Sequence, residues 1–167
     1  MKDILDTLLN TALGLLLAGL IAYALLCVGA YSLTAEEPPL THEEQVVALT
    51  ILGEARGEKE GGMYGVACVI QNRADKRGLK LSQVCLEDWQ FSVWNRGKTV
   101  NDLKHLFNSP SAPYAIKLAR AMCKGHKLVQ AFTNHADHYC TLNTHNKWTR
   151  KSKSIKVIGN HKFFKLN

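Results

Sequence analysis

No residue between Asp6 and Glu36 carries a charge, and Ala12 to Leu33 is an almost unbroken apolar run. A helix rises about 1.5 Å per residue, so about 20 apolar residues cross the ~30 Å hydrocarbon core of a bilayer. The run therefore reads as a transmembrane helix, with residues 1–35 forming a signal-anchor held in the inner (cytoplasmic) membrane through residues 12–33. Lys2 precedes it and no Lys or Arg follows until Arg56. This asymmetry puts the N-terminus inside and the rest of the chain in the periplasm or extracytoplasmic space. A signal peptide has a shorter apolar region, roughly 7–15 residues. An uncleaved anchor is thus the favoured reading, while Ala30-Tyr31-Ser32 offers a small-residue site for cleavage and release. Gly14, Ala18, Gly19 and Ala22 lower the hydrophobicity of the run and permit close helix packing. They suit a weakly held anchor or dimerisation through the small face.

Residues 36–40 begin Glu-Glu-Pro-Pro, a stiff linker that cannot continue a helix. What remains, 41–167, is the size of one domain. The formal charge is +7, but residues 1–40 hold one base against four acids, so the exported part alone carries +10. Such a field attracts polyanions, including anionic lipid and bacterial wall polymers. Export argues against nucleic acid as the partner. Seven bases follow the last acid, Asp137: Lys147, Arg150, Lys151, Lys153, Lys156, Lys162 and Lys165. Cys68, Cys85, Cys123 and Cys140 would suit two disulfides in an oxidising compartment, in any of three pairings, or buried free thiols. Cys27, in the apolar run, is left over.

Thr41 with Glu44 reads as a capping box, and Val46, Val47, Leu49, Thr50 and Ile51 follow with helical grouping up to Gly53. Glu54 is thereby placed at a helix end. Gly61-Gly62 is expected to break the chain before a second helix, from Met63 to a stop at Gly78. Ser111 caps a third, with Pro113 in its first turn and Gly125 ending it. After Lys127 come short aromatic and β-branched runs: Ala131-Phe132-Thr133, His138-Tyr139-Cys140, Ile155 to Ile158 and His161 to Leu166. These predict a small antiparallel sheet. The fold class is α+β, mainly α.

In Gly53-Glu54-Ala55-Arg56-Gly57-Glu58, glycines flank a carboxylate where an apolar helix ends, which is the character of a working loop. Together with Val69-Ile70-Gln71-Asn72-Arg73, Gln90-Phe91-Ser92, His138-Tyr139, Trp148 and Ile158 to Phe164, this segment resembles the SleB-type cell-wall hydrolases. The resemblance runs from about Glu43 to Phe164. It implies a lysozyme-like catalytic domain that cleaves peptidoglycan between N-acetylmuramic acid and N-acetylglucosamine, with Glu54 as the catalytic acid and no cofactor. One carboxyl group suffices for a lytic transglycosylase, serving first as acid and then as base. A two-carboxylate muramidase needs a second acid at roughly 5–9.5 Å, for which Glu58 and Asp137 are the candidates. Asp137 stands where the family pattern has a Thr before the His-Tyr pair. Gln90, Ser92, Tyr139 and Trp148 bring amide, hydroxyl and aromatic groups suited to binding sugar.

A bare catalytic domain behind a weakly apolar anchor resembles phage signal-anchor endolysins, which implies lysis of a host bacterium. Bacterial wall remodelling or spore-cortex lysis is the alternative. Two other classes compete. His126, His135, His138, His145, Cys123 and Cys140 invite a zinc reading, but no His-Glu-x-x-His pair or Cys-x-x-Cys knuckle is present, and no metal site is expected. A basic membrane-anchored binding module without catalysis is the second, marked by binding that falls steeply with salt.

Overall fold

The computed structural model describes residues 2–33, 37–145 and 147–166, with side chains in the first helix described at Ile4 and 11–26. The chain divides into two compact units, Met1–Pro39 and Leu40–Asn167. The first is a helix, α1 (Lys2–Leu33). Leu13, Leu15, Leu16, Leu17, Leu20, Leu25 and Leu26 are exposed on it. Among the described residues no helix is long and apolar enough to cross a membrane. The apolar run of the sequence extends past the side chains that are described, and Cys27, Ala30-Tyr31-Ser32 and Glu36 lie outside them.

The second unit is built on α2 (His42–Ala55). Thr41 Oγ1 accepts the Glu44 N–H, and Glu44 Oε2 accepts the Thr41 N–H at 2.8 Å, so the capping box starts the helix where the sequence places it. Every side chain from Val46 to Leu52 is buried. A helix apolar on all sides must be wrapped by others, and α2 is packed by α3 (Lys59–Arg77), α4 (Leu81–Leu86) and α6 (Ala112–Cys123). Thr50, the one hydroxyl in that run, donates to Val46 O at 2.7 Å and accepts the Trp94 indole N–H at 2.8 Å. A buried polar group is thereby satisfied.

Gly61-Gly62 does not break the chain as expected but lies in the first turn of α3. A β-carbon on Gly62 would lie 2.2 Å from Glu58 Cβ, so this glycine serves close approach. Gly65 does the same one turn later, where a β-carbon would meet the Phe163 ring at 2.6 Å. α3 ends at Gly78 in left-handed backbone (φ 63°).

The sheet has three antiparallel strands, β1 (His138–Thr141), β2 (Lys156–Ile158) and β3 (His161–Phe164), in the order β1-β3-β2. Tyr139 pairs with Phe163, and the β2-β3 hairpin turns at Gly159 (φ 56°) and Asn160. The run Ala131-Phe132-Thr133 is not a strand. It lies in a 3-10 turn, Gln130–Thr133, ended by Asn134 in left-handed backbone. The Tyr64 hydroxyl accepts the Val129 N–H, and Phe132 meets the Tyr64 ring edge-on at 5.0 Å, so α3 captures this segment before the sheet can. The short helices α4, α5 (Val100–Leu103) and α7 (Lys147–Lys151), and the 3-10 turns Ser92–Trp94 and Lys104–Asn108, lie where no helix was expected. Each is too short to show a period.

The four described cysteines are free thiols, so of the two readings open from the sequence the structure shows thiols and not bridges. Cys85 is a core side chain, Cys68 faces Val129 O across 3.9 Å, and Cys140 sits on β1. They serve as small apolar groups.

Candidate active site

Glu54 occupies the last turn of α2, half-buried, and three groups converge on its carboxylate. The Ser92 hydroxyl and the Val93 N–H each donate to Oε1 at 2.9 Å, and the Tyr139 hydroxyl donates to Oε2 at 3.0 Å. These donors come from a 3-10 turn and from β1, far apart in sequence. Gly53 explains how they meet. A β-carbon there would lie 2.1 Å from Val93 Cγ2, so only glycine lets the turn's backbone reach Glu54. Tyr139 is wedged among Phe91, His161 and Phe163. Burial first, and then the Glu54 carboxylate, push its phenol well above its ordinary pKa. It therefore remains a hydrogen-bond donor across the biological pH range.

These residues line an open cleft of about 780 Å³, along with Gln90, Trp148, His138 and Trp89. The structure thus gathers Glu54, Gln90, Ser92, Tyr139 and Trp148 around one hollow. Gln90 is held by Arg73, whose Nη1 donates to Gln90 Oε1 at 3.0 Å. Arg73 is buried, lies over the Phe91 ring at 5.2 Å, and donates through Nε to Asp137 O at 2.6 Å. It therefore ties α3 to the Gln90-Phe91-Ser92 segment and to the residue before β1, and it lines the cleft as well. Trp148 projects from α7 and packs against His138 and Phe164.

Neither candidate second acid lines the cleft. Asp137 is buried, with Oδ2 accepting Lys76 Nζ at 2.6 Å and Oδ1 bonded to His138 Nδ1 and the Leu166 N–H, both at 2.8 Å. Burial alone would raise its pKa, but the bonds from His138, Lys76 and Leu166 and the Lys76 charge prevail and hold it at about 2. Glu58 accepts the Asn160 N–H at 2.7 Å and the Asn160 side-chain amide at 3.2 Å, fastening the β2-β3 turn. Its pKa is lowered chiefly by that backbone bond. Sequence reasoning gave no role to Arg73, Lys76, Val93 or Trp89. Arg73 lies in a motif already quoted, whereas Val93 contributes a backbone N–H that no side chain announces. Among the described residues, no group of three or more His, Cys, Asp or Glu side chains converges to hold a metal ion.

The pattern of the Cell Wall Hydrolase family matches residues 57–164, beginning just after Glu54. No curated protein matches the chain. Two solved structures do. The catalytic domain of the germination-specific lytic transglycosylase SleB from Bacillus anthracis is 26% identical with a TM-score of 0.57, over 78% of this chain and 100% of that one. The catalytic domain of the Bacillus cereus SleB protein is 28% identical with a TM-score of 0.54, over 79% of this chain and 97% of that one. With the matched pattern spanning well over half of its length, this chain belongs to the cell wall hydrolase family and is an enzyme of that kind.

Proposed function

We propose that the chain is a peptidoglycan lytic transglycosylase in which Glu54 is both acid and base. The protonated Glu54 carboxyl donates to the glycosidic oxygen between N-acetylmuramic acid and N-acetylglucosamine, and the bond from muramic C1 to that oxygen breaks. The carboxylate then takes the proton of the muramic 6-hydroxyl, whose oxygen bonds to C1 and closes a 1,6-anhydro ring. No water is consumed, and Glu54 ends protonated as it began. The observation that carries this reading is that, among the described residues, Glu54 alone presents a carboxylate to the cleft, while Asp137 and Glu58 are each bonded elsewhere. Ser92, Val93 and Tyr139 fix its orientation, and Gln90 and Trp148 supply amide and aromatic surface for the sugars. The exposed bases of α7, Lys147, Arg150 and Lys151, suit an anionic wall.

The test is mass spectrometry of fragments released from purified peptidoglycan. Fragments ending in 1,6-anhydro-muramic acid, absent with Glu54→Gln, are expected. Reducing ends would mean that water is the acceptor, as in a muramidase.

The sequence further supports an enzyme tethered to the cytoplasmic membrane through residues 12–33, with its catalytic unit outside. An apolar helix ahead of a catalytic unit fits a phage endolysin that lyses its host. The germination-specific relative from Bacillus anthracis favours wall or spore-cortex remodelling instead. Fractionation separates tethered from released enzyme: the tethered chain resists alkaline carbonate and leaves the membrane only with detergent.

A further inference from the structure

Among the described residues Trp89 is the most exposed of the large apolar side chains, at 85%, and it lines the cleft. Its backbone is unusual as well. The Gln90 N–H donates to Glu87 O at 3.2 Å, closing a turn in which Trp89 holds the third position with φ 64°. That position favours glycine, since a side chain there crowds its own backbone. Elsewhere in the second unit left-handed positions go to Gly78, Gly97, Gly125 and Gly159 and to the polar residues Lys59, Arg96, Asn134 and His135, so that among the described residues Trp89 is the one large apolar side chain at such a position. Packing does not repay the strain because the indole is in solvent. Held strain without compensating burial points to use of the side chain itself.

The surroundings indicate what that use is. Trp89 and Asn95 form a ridge between the Glu54 cleft and a second hollow of about 450 Å³, lined further by Trp94, Arg96 and Lys98. The turn that displays Trp89 leads directly into Ser92 and Val93, the residues bonded to Glu54. A ligand lying on the indole would therefore be registered against the carboxylate. Its face is flat, apolar and already dehydrated on neither side, which suits the C–H face of a pyranose while an amide such as Asn95 takes a hydroxyl or acetamido group.

We propose that Trp89 is a stacking platform for a further sugar of the glycan strand, extending the binding cleft over the ridge into the second hollow. This rests on the glycan-cleaving reading above. The test uses the full chain in detergent with Glu54→Gln, so that glycan is held and not cut, and peptidoglycan oligosaccharides four to eight sugars long as the probe. Adding Trp89→Gly is expected to weaken binding of the longest oligosaccharides roughly five- to tenfold, with Trp89→Phe recovering most of it. Because glycine suits φ 64°, Trp89→Gly should also leave the melting temperature unchanged or raise it. Undiminished binding, or a lowered melting temperature, would overturn the subsite and mark Trp89 as structural or idle. If Glu54→Gln alone binds no oligosaccharide, the glycan reading fails with it.

Discussion

Gly53 and Val93 touch so closely that a single methyl on the glycine would occupy the Val93 side chain. The contact is what brings the Val93 N–H within 2.9 Å of Glu54 Oε1.

Gly53→Ala should therefore do more than overpack a core. Pushing the 3-10 turn away costs about 1–3 kcal/mol of stability and also removes one donor from Glu54, and with the turn the Ser92 hydroxyl. Peptidoglycan-clearing activity is expected to fall by more than the lost stability explains. A denaturant melt alongside the activity assay separates the two effects.

Tyr139→Phe keeps the aromatic packing against Phe91 and Phe163 but deletes the hydroxyl that orients Glu54. A hydrogen bond to a charged group contributes about 1.5–3 kcal/mol, so turnover should drop roughly 10- to 150-fold. Circular dichroism should be unchanged.

Asp137 makes a prediction about acid. Its pKa is about 2 when folded, against about 3.9 unfolded. A pKa depressed by folding gives stability that is present above the unfolded value and lost as pH falls toward the folded one. Between pH 4 and pH 2 the native chain should lose on the order of 1–2 kcal/mol that Asp137→Asn never had. The figure is moderated because the Lys76 partner is 43% exposed and screened by solvent. Urea melts across that range check it.

The thiols make a fourth. Burial pushes Cys68, Cys85 and Cys123 up to about 12, so alkylation of the folded chain at pH 8 should be slow. In a Cys27→Ser chain unfolded without reductant, four thiols should react at once, and a reductant should not shift the melting temperature. A count of two or none would mean that bridges form after all.

What could be read from the sequence follows from how local each determinant is. The Thr41 and Glu44 cap, the Gly78 stop and Glu54 at the end of α2 are each written within a few residues. The Gln130–Thr133 segment was misread because its aromatic and β-branched composition suits a strand, while Tyr64, distant in sequence, decides its shape. Gly61-Gly62 was misread because glycine serves close approach as readily as chain breaking. For the site, Glu54, Gln90, Ser92, Tyr139 and Trp148 were legible by chemical type, whereas Trp89, which also lines the cleft, was not. The Val93 amide and the Arg73 brace were not either, since one has no side-chain signature and the other is set by partners distant in sequence, Gln90 and Asp137. Asp137 and Glu58 have the right chemistry for a second acid, but only three-dimensional placement showed Lys76 and Asn160 engaging them.

The order of the strands has a consequence for synthesis. β1 pairs with β3 and not with β2, so Tyr139 is held in place only once residues 161–164 have been added. A nascent chain shorter than that carries Glu54 without the Tyr139 hydroxyl held beside it. The carboxyl is made early but armed late. The hydrogen-bonded surroundings of Glu54 are thus complete only when the last strand of the sheet is in place.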